Sequence, residues 1–479
     1  MNPLSSFSRV LGSAFRSGRP VAQKMKPLIM IYGSTGTGKS DLAVELATRF
    51  NGEVINADAM QMYKGLPIIT NKLTVEEQRG VRHHLLGSIH LDEDPWVVTR
   101  FKREATRIIS EIRARGKLPI VVGGTAYYLD GLLFDGRVVE DQPPLEGGPL
   151  NRDELAAEHP VLTGPTDAML AKLREVDPVM ADKWHPNDRR KIQTSLEIYF
   201  ATGRAASDIY AEQRSRKESK LASQLPAQGQ NHGEILLFWL YARREVLNER
   251  LDRRVDRMVN SGLLDETADV HGYLQRRLAA DDTVDRSKGI WQSIGFRQFE
   301  PYLCAGPETA DHAELDKLKH AGVEDTKTAT RQYAKYQVRW MAMKTIPSLH
   351  EEKLLDRLYL LDSSDIERWD DEVRATGVEL ARRFLAEEPL PLPVDVSETA
   401  REVLTETVER SNQQGTPCRK TCDTCNKTLL TEELWEGHLK SRKHMKAVRG
   451  AKKRSLMPAH CFPSRALVAV EEEMPERHG

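Results

Sequence analysis

The segment GSTGTGKS, Gly33 to Ser40, fits the pattern G-x-x-x-x-G-K-[ST]. Gly33, Gly36 and Gly38, with Ser34, Thr35 and Thr37 between them, let main-chain amides close around phosphate oxygens. A helix beginning at the lysine adds the positive end of its dipole. Lys39 can reach terminal phosphates, and Ser40 can ligate a magnesium ion. These residues call for a di- or triphosphate, carried either by a nucleotide such as ATP or by another substrate. A second constellation lies near the C-terminus, where Cys422, Cys425, His438 and His444 follow C-x2-C-x12-H-x5-H. That spacing suits two thiolates on a hairpin and two imidazoles on a helix around one tetrahedral zinc, with Leu434 between the pairs as a small core. Its flanks are rich in lysine and arginine, as in modules that touch nucleic acid.

The surrounding elements must position these groups. KPLIMIY reads as a buried strand feeding the loop, and KSDLAVELATRF as the helix after it. GEVINADAM reads as a second strand ending at Asp58, and LPIVVGG as a third, reached through a helix over FKREATRIISEIRARG. Strands alternating with helices imply an α/β fold, a P-loop NTPase-like parallel sheet with helical crossovers. The phosphate loop, Asp58 and Gly123-Gly124-Thr125 all follow predicted strands, at the edge where open parallel sheets bind ligands. Boundaries follow from composition: a core over 26–140, a helical insertion over 141–233, and the core again over 234–346. An acidic, Pro-rich linker is expected over 347–415, a small ββα-type zinc finger over 416–450, and a tail over 451–479. In RREVLNERLDRRVDRMVNSG, Leu247, Leu251, Val255 and Met258 form an apolar stripe opposite Arg243, Arg250, Arg254 and Arg257. In TRQYAKYQVRW, Tyr333, Tyr336 and Trp340 lie opposite Arg331, Lys335 and Arg339. Both helices read as a core side and a solvated side, or as a cation row beside the phosphate loop.

The 479 residues carry a net charge of −1, so a basic surface must be local. Five cysteines, two of them in C-x-x-C, do not form a secreted disulfide framework. No apolar run is long enough to cross a bilayer. Residues 1–25 are rich in arginine and serine and lack acids, the composition of a mitochondrial leader, while Met25 offers a start without it. Both mitochondrion and cytoplasm are expected, and AKKRS (451–455) fits a nuclear address.

Taken together, GSTGTGKS, INADAMQMYKGLPIITNK, HHLLG, LPIVVGGTAYYLDGLL, HPNDRRKI, RVDRMVNSGLLDE, WQSIGFRQF and TRQYAKYQVRW occur in the order seen in tRNA dimethylallyltransferases. The chain resembles that family over roughly Lys26 to Trp340, and its finger resembles the eukaryotic branch. The resemblance implies that the loop holds the diphosphate of dimethylallyl diphosphate and that the acceptor is the exocyclic amine of the adenosine 3′ of the anticodon in tRNA. It makes Asp58 the residue that takes the amine proton. Lys39, Thr35, Arg254 and magnesium on Ser40 then stabilise the departing diphosphate. It assigns tRNA contacts to Asp58, Ala59, Met60, Gln61, Thr125, Arg189, Arg190 and Lys191, with Arg331 and Lys335 as further candidates. Ala59 stands where the family carries serine, and Gln193 and Thr194 where it often carries arginine. His83 and His84 read as structural. The competing readings are an ATP-dependent kinase of a small metabolite and a non-catalytic RNA-binding protein.

Overall fold

The computed structural model describes residues 26–134, 152–212, 215, 234–280, 283–309, 311–412, 417–425 and 427–455. The expected leader, the start and end of the insertion, and the tail beyond 455 lie outside the described residues.

The sheet has the order β3-β2-β4-β1-β5-β6, from β1 (Leu28–Gly33), β2 (Gly52–Asn56), β3 (His83–His84), β4 (Leu118–Val122), β5 (Ile235–Tyr241) and β6 (Leu358–Asp362). Every neighbouring pair is parallel. Such strands are covered on both faces and therefore apolar throughout. Along β1, Met30 and Tyr32 enter one core, and Ile29 and Ile31 enter the other. In β5 the same alternation divides Leu237 and Trp239 from Leu236 and Phe238. His83 and His84 are structural as expected: His84 Nε2 lies 2.7 Å from Glu53 Oε2, and His83 Nδ1 lies 2.9 Å from the Val81 carbonyl.

Three expectations are corrected here. The expected linker over 347–415 is folded. It contains the Ile346–Glu351 helix, β6, and the Thr376–Leu385 and Glu398–Asn412 helices. LYLLD pairs along β5, and the Pro-rich stretch packs rather than extends: Pro393 and Val394 are buried, and Tyr359 Oη donates to the Pro391 carbonyl at 2.8 Å. The second strand ends at Asn56, so Asp58 sits in the turn beyond it. The His312–Trp340 helix buries Gly322, Thr326, Thr330, Ala334 and Gln337 rather than an aromatic face. Small residues on that side allow close packing, and its two inward threonines satisfy their hydroxyls on carbonyls one turn back.

The described residues divide into two compact units, Met1–Pro144 with Arg216–Gln413, and Leu145–Ser215 with Gln414–Gly479. The second joins the insertion and the finger. The insertion has its own core, including Leu162, Met169, Leu173, Met180, Ile192 and Leu196. The finger is an antiparallel hairpin, β7 (Pro417–Cys422) and β8 (Lys427–Thr431), followed by the Glu432–Leu439 and Arg442–Ser455 helices. Its last helix thus runs past the expected boundary at 450. Within this unit, Arg419 pairs with Asp182 at 3.0 Å, and His185 Nε2 donates to the Thr428 carbonyl at 2.9 Å.

Candidate active site and metal centre

The phosphate loop leaves β1 and enters the Lys39–Arg49 helix through Gly38, whose φ of 82° is left-handed and favours glycine. Lys39 Nζ donates to the Ser34 carbonyl at 2.7 Å, and Thr37 Oγ1 donates to the same oxygen at 2.9 Å. Arg254, on the Arg244–Asn260 helix, donates from Nη1 to Thr35 Oγ1 at 2.6 Å. Its Nε is buried without a hydrogen-bond partner among the described residues. Two cations therefore converge on the loop with donor capacity to spare.

Asp58 faces them. Its Oδ1 accepts the Met60 N–H at 3.1 Å, at the entrance to the short turn Met60–Met62. Asn56 braces it from the other side, accepting the Asp58 N–H at 3.2 Å and donating to the Asp58 carbonyl at 3.0 Å. Burial lifts the Asp58 carboxyl above its usual range, against the opposing pull of Lys39, the Met60 and Gln61 N–H groups and Arg254. Burial also lowers Lys39 to about 8, with Asp58 pulling upward and Arg254 pushing further down. Arg254 falls to about 10 for the same first reason. One carboxylate and two cations thus sit partly desolvated, with none of the three in a direct ion pair among the described residues. That is the condition in which charge is most available for chemistry.

Two residues join this group that the sequence did not single out as functional. Gln337 Oε1 accepts the Thr35 N–H at 2.9 Å, and its Nε2 donates to the Gly124 carbonyl at 2.9 Å. It ties the phosphate loop to the Gly123-Gly124-Thr125 turn. A Cβ at Gly124 would run into that amide, which accounts for the glycine. Tyr333, one turn earlier, stands beside Thr125 and Gln337, and burial with Asp58 nearby raises its hydroxyl well above the ordinary value. The available signal was a glutamine one turn after a tyrosine on a helix already carrying a cation row.

On its outer side the loop opens into a cleft of about 450 Å³, lined by Gly36 to Gly38, Arg250, Arg253, Arg254, Arg257 and Trp369 among others. Trp369 packs on the loop so closely that a Cβ at Gly38 would lie 2.8 Å from its indole nitrogen. Arg250 donates to the Ser363 and Ser364 carbonyls at 2.5 and 2.6 Å, anchoring the segment that carries Trp369.

The expected RNA contacts divide. Thr125 Oγ1 accepts the Ala59 N–H at 3.1 Å, so Ala59 and Thr125 stand beside Asp58, with Met60 and Gln61 in the same turn. Gln61 donates to the Asn71 carbonyl at 3.0 Å. Arg331 is engaged elsewhere: it pairs with Asp252 at 2.5 Å and donates to Thr328. Lys335 is exposed without a partner among the described residues. In the insertion, Arg189 donates to the Gly164 and Leu162 carbonyls at 2.6 and 3.3 Å, and Lys191 pairs with Asp188 at 2.8 Å. Arg190 is exposed.

In the finger, the ligand atoms of Cys422, Cys425, His438 and His444 all lie within 4.8 Å of one another. Each sulfur is 3.5 Å from His444 Nδ1, the separation of about 3.5 Å that thiolate and imidazole ligands adopt around tetrahedral zinc. His438 Nε2 is buried without a hydrogen-bond partner among the described residues, as a ligand atom would be. The four residues fit zinc. Leu434 does not supply the expected core, being 57% exposed; among the described residues of the finger the buried ones are ligands, Cys422 and His444.

A family model described as IPP transferase matches residues 61–344, more than half of the chain. One described as zinc-finger double-stranded RNA-binding matches residues 419–444. The tRNA dimethylallyltransferase of Schizosaccharomyces pombe is 37% identical over 90% of this chain and 97% of that protein. That of Homo sapiens is 31% identical over 97% and 94%. The fold is similar to a solved structure of a eukaryotic dimethylallyltransferase acting on tRNA, with 33% identity and a TM-score of 0.72, covering 90% of this chain and 98% of that one.

Proposed function

We propose, from the premise that this chain belongs to the IPP transferase family, that it is a tRNA dimethylallyltransferase. It transfers a dimethylallyl group from dimethylallyl diphosphate to the exocyclic amine of the adenosine 3′ of the anticodon. The observation that carries this reading is the meeting of Asp58, Lys39 and Arg254 at the phosphate loop, the carboxyl raised and both cations lowered by burial. A phosphoryl-transferring kinase would need its base beside a small hydroxyl. Here the carboxylate lies in a turn braced by Thr125 and Asn56, among residues matching tRNA-contacting positions.

The target base leaves its stack to enter the site. Its amine nitrogen attacks the first carbon of the allylic chain, the carbon–oxygen bond to diphosphate breaks, and the amine proton passes to the Asp58 carboxylate. Oδ1 is held by the Met60 N–H, which fixes the carboxylate plane. Diphosphate departs carrying new negative charge, which the loop amides, Lys39 and Arg254 stabilise without reorganising. Thr35 accepts from Arg254, which leaves its own O–H to donate to the leaving oxygen. Magnesium, when bound, neutralises diphosphate charge; the Ser40 hydroxyl at the helix start is the residue to hold it. Zinc on the four finger ligands orders the hairpin against the helix, and the finger then adds phosphate contacts that weaken with salt. Location in mitochondria and cytoplasm is supported by the leader composition of residues 1–25 and by Met25.

The test incubates the protein with tRNA and either labelled dimethylallyl diphosphate or labelled ATP. Label from the allylic donor should reach tRNA as isopentenyladenosine, identified by mass spectrometry of its nucleosides. Transfer from ATP to a small acceptor would replace this reading with the kinase.

A further inference from the structure

Beside the reacting groups lies a row of aromatic rings that the reaction does not use. Trp340 closes the His312–Trp340 helix, and its indole N–H donates to Asp130 Oδ2 at 2.7 Å. Thr345, in the π-helical turn that follows, donates to the same carboxylate at 2.9 Å. The indole is therefore fixed from behind. Two tyrosines flank it: Tyr127 at 6.0 Å and 69°, and Tyr336 at 5.9 Å and 58°. Tyr127 is 44% exposed and Tyr336 54%. Neither hydroxyl has a hydrogen-bond partner among the described residues. Rings oriented by a buried anchor yet left facing water make a surface prepared for a flat apolar partner.

The row adjoins the place the target adenosine must occupy. Tyr127 follows Thr125, whose hydroxyl accepts the Ala59 N–H beside Asp58. Tyr336 lies between Tyr333 and Gln337, the pair that borders Thr125 and ties in the phosphate loop. The rim is cationic: Lys335, Arg339 and Lys344 are exposed, and no acid occurs from Arg331 to Lys344. Along this stretch of the helix a partner would meet charge of one sign. Single-stranded RNA brings both a stackable base and a phosphate at each step.

The geometry points to a stacking platform for the anticodon-loop bases next to the target adenosine. These bases lie on Tyr127 and Tyr336, Trp340 holds the two rings in place, and Lys335 and Arg339 take the neighbouring phosphates. Extruding one purine breaks its stacking on both neighbours. The platform returns that stacking on the protein side and so lowers the cost of flipping. This inference rests on the tRNA-modifying reading above.

The experiment uses the full chain and an anticodon stem-loop carrying 2-aminopurine beside the target adenosine. Binding to the wild type should quench the fluorescence. The Tyr127→Ala/Tyr336→Ala pair should abolish most of that quench and weaken RNA affinity by at least roughly 30-fold, the lower end expected for losing base–aromatic stacking at two rings. The KM for dimethylallyl diphosphate should stay within about twofold, because among the described residues neither tyrosine hydrogen-bonds the loop and their ring contacts are to Trp340. Tyr127→Phe/Tyr336→Phe should behave as wild type, since stacking needs the ring and not the hydroxyl. An alanine pair that binds RNA as tightly as wild type with the same quench would overturn the platform. So would a phenylalanine pair as impaired as the alanine pair, which would assign the effect to hydrogen bonding. Failure of the wild type to bind the stem-loop at all would instead sink the tRNA reading. Thermal melting of each variant separates these results from misfolding.

Discussion

The sheet edge and the insertion–finger unit treat charge in opposite ways. At the edge, Lys39, Asp58 and Arg254 are held close, partly desolvated and without direct ion pairs, and all three titrate away from their ordinary values. In the other unit, charges the sequence marks for RNA are spent on architecture. Arg189 closes on carbonyls, Lys191 on Asp188, and Arg419 on Asp182. The contrast teaches that a basic residue in a matching motif is not by itself a phosphate contact. A group whose partners are withheld is the one poised to act, whereas a group already paired must first give up that pair.

The sharpest way to break this contrast is at Asp58. Asp58→Ala should lower kcat by about 10² to 10⁴, the usual contribution of a positioned base, with the donor still bound. Arg189→Ala should instead leave kcat unchanged and lower the melting temperature. A fall in kcat for Arg189→Ala would end the distinction. Next in size is loss of zinc. Cys422→Ser or a chelator should unfold the finger and weaken tRNA binding by at least about tenfold at physiological salt, with a shallower salt dependence and an unchanged single-turnover rate. The measurement is a binding titration repeated at several salt concentrations.

A third effect follows from Lys39. Its folded pKa of about 8 lies below the ordinary value, so the cationic form is complete at lower pH and is lost as pH rises through about 8. Affinity for the allylic diphosphate should therefore fall roughly tenfold between about pH 7 and 9, read by calorimetry. Asp58 runs the other way. Its raised carboxyl loses its proton-accepting form at a higher pH than an exposed aspartate, which moves the acid limb of kcat upward. The smallest effect is expected at Gln337→Ala. Losing its two hydrogen bonds should cost about 1–3 kcal/mol of stability and lower kcat a few-fold by loosening the loop. An unchanged melt and rate would remove Gln337 from the site.

Much of this was legible in the chain. The phosphate loop, the parallel sheet and the four zinc ligands each rest on a spacing that backbone geometry demands, so pattern alone places them. The position of Asp58 just past a strand was legible from the sheet-edge rule, although its strand ends at Asn56 and its proton-accepting role came only from the family resemblance. Gln337 was not, because a single glutamine has no spacing to betray it, and its role exists only once two distant turns are brought together. The sixth strand was hidden for another reason. LYLLD is short, and the prolines after it resemble a tether, although Tyr359 and the burial of Val394 hold them against the core. Leu434 misled through its position between ligand pairs; in so small a module the metal substitutes for an apolar interior.

The indole of Trp369 comes from chain that lies beyond the stretch matched by the family model, yet it rests on the glycine that starts the loop's helix. A protein cut after Lys344 would keep Asp58, Lys39, Thr35, Arg254 and Gln337, but it would lose the outermost strand and the lid over Gly38. Its cradle for the pyrophosphate would be chemically complete and mechanically slack. Rigidity of that cradle therefore depends on a residue more than 300 positions further along the chain.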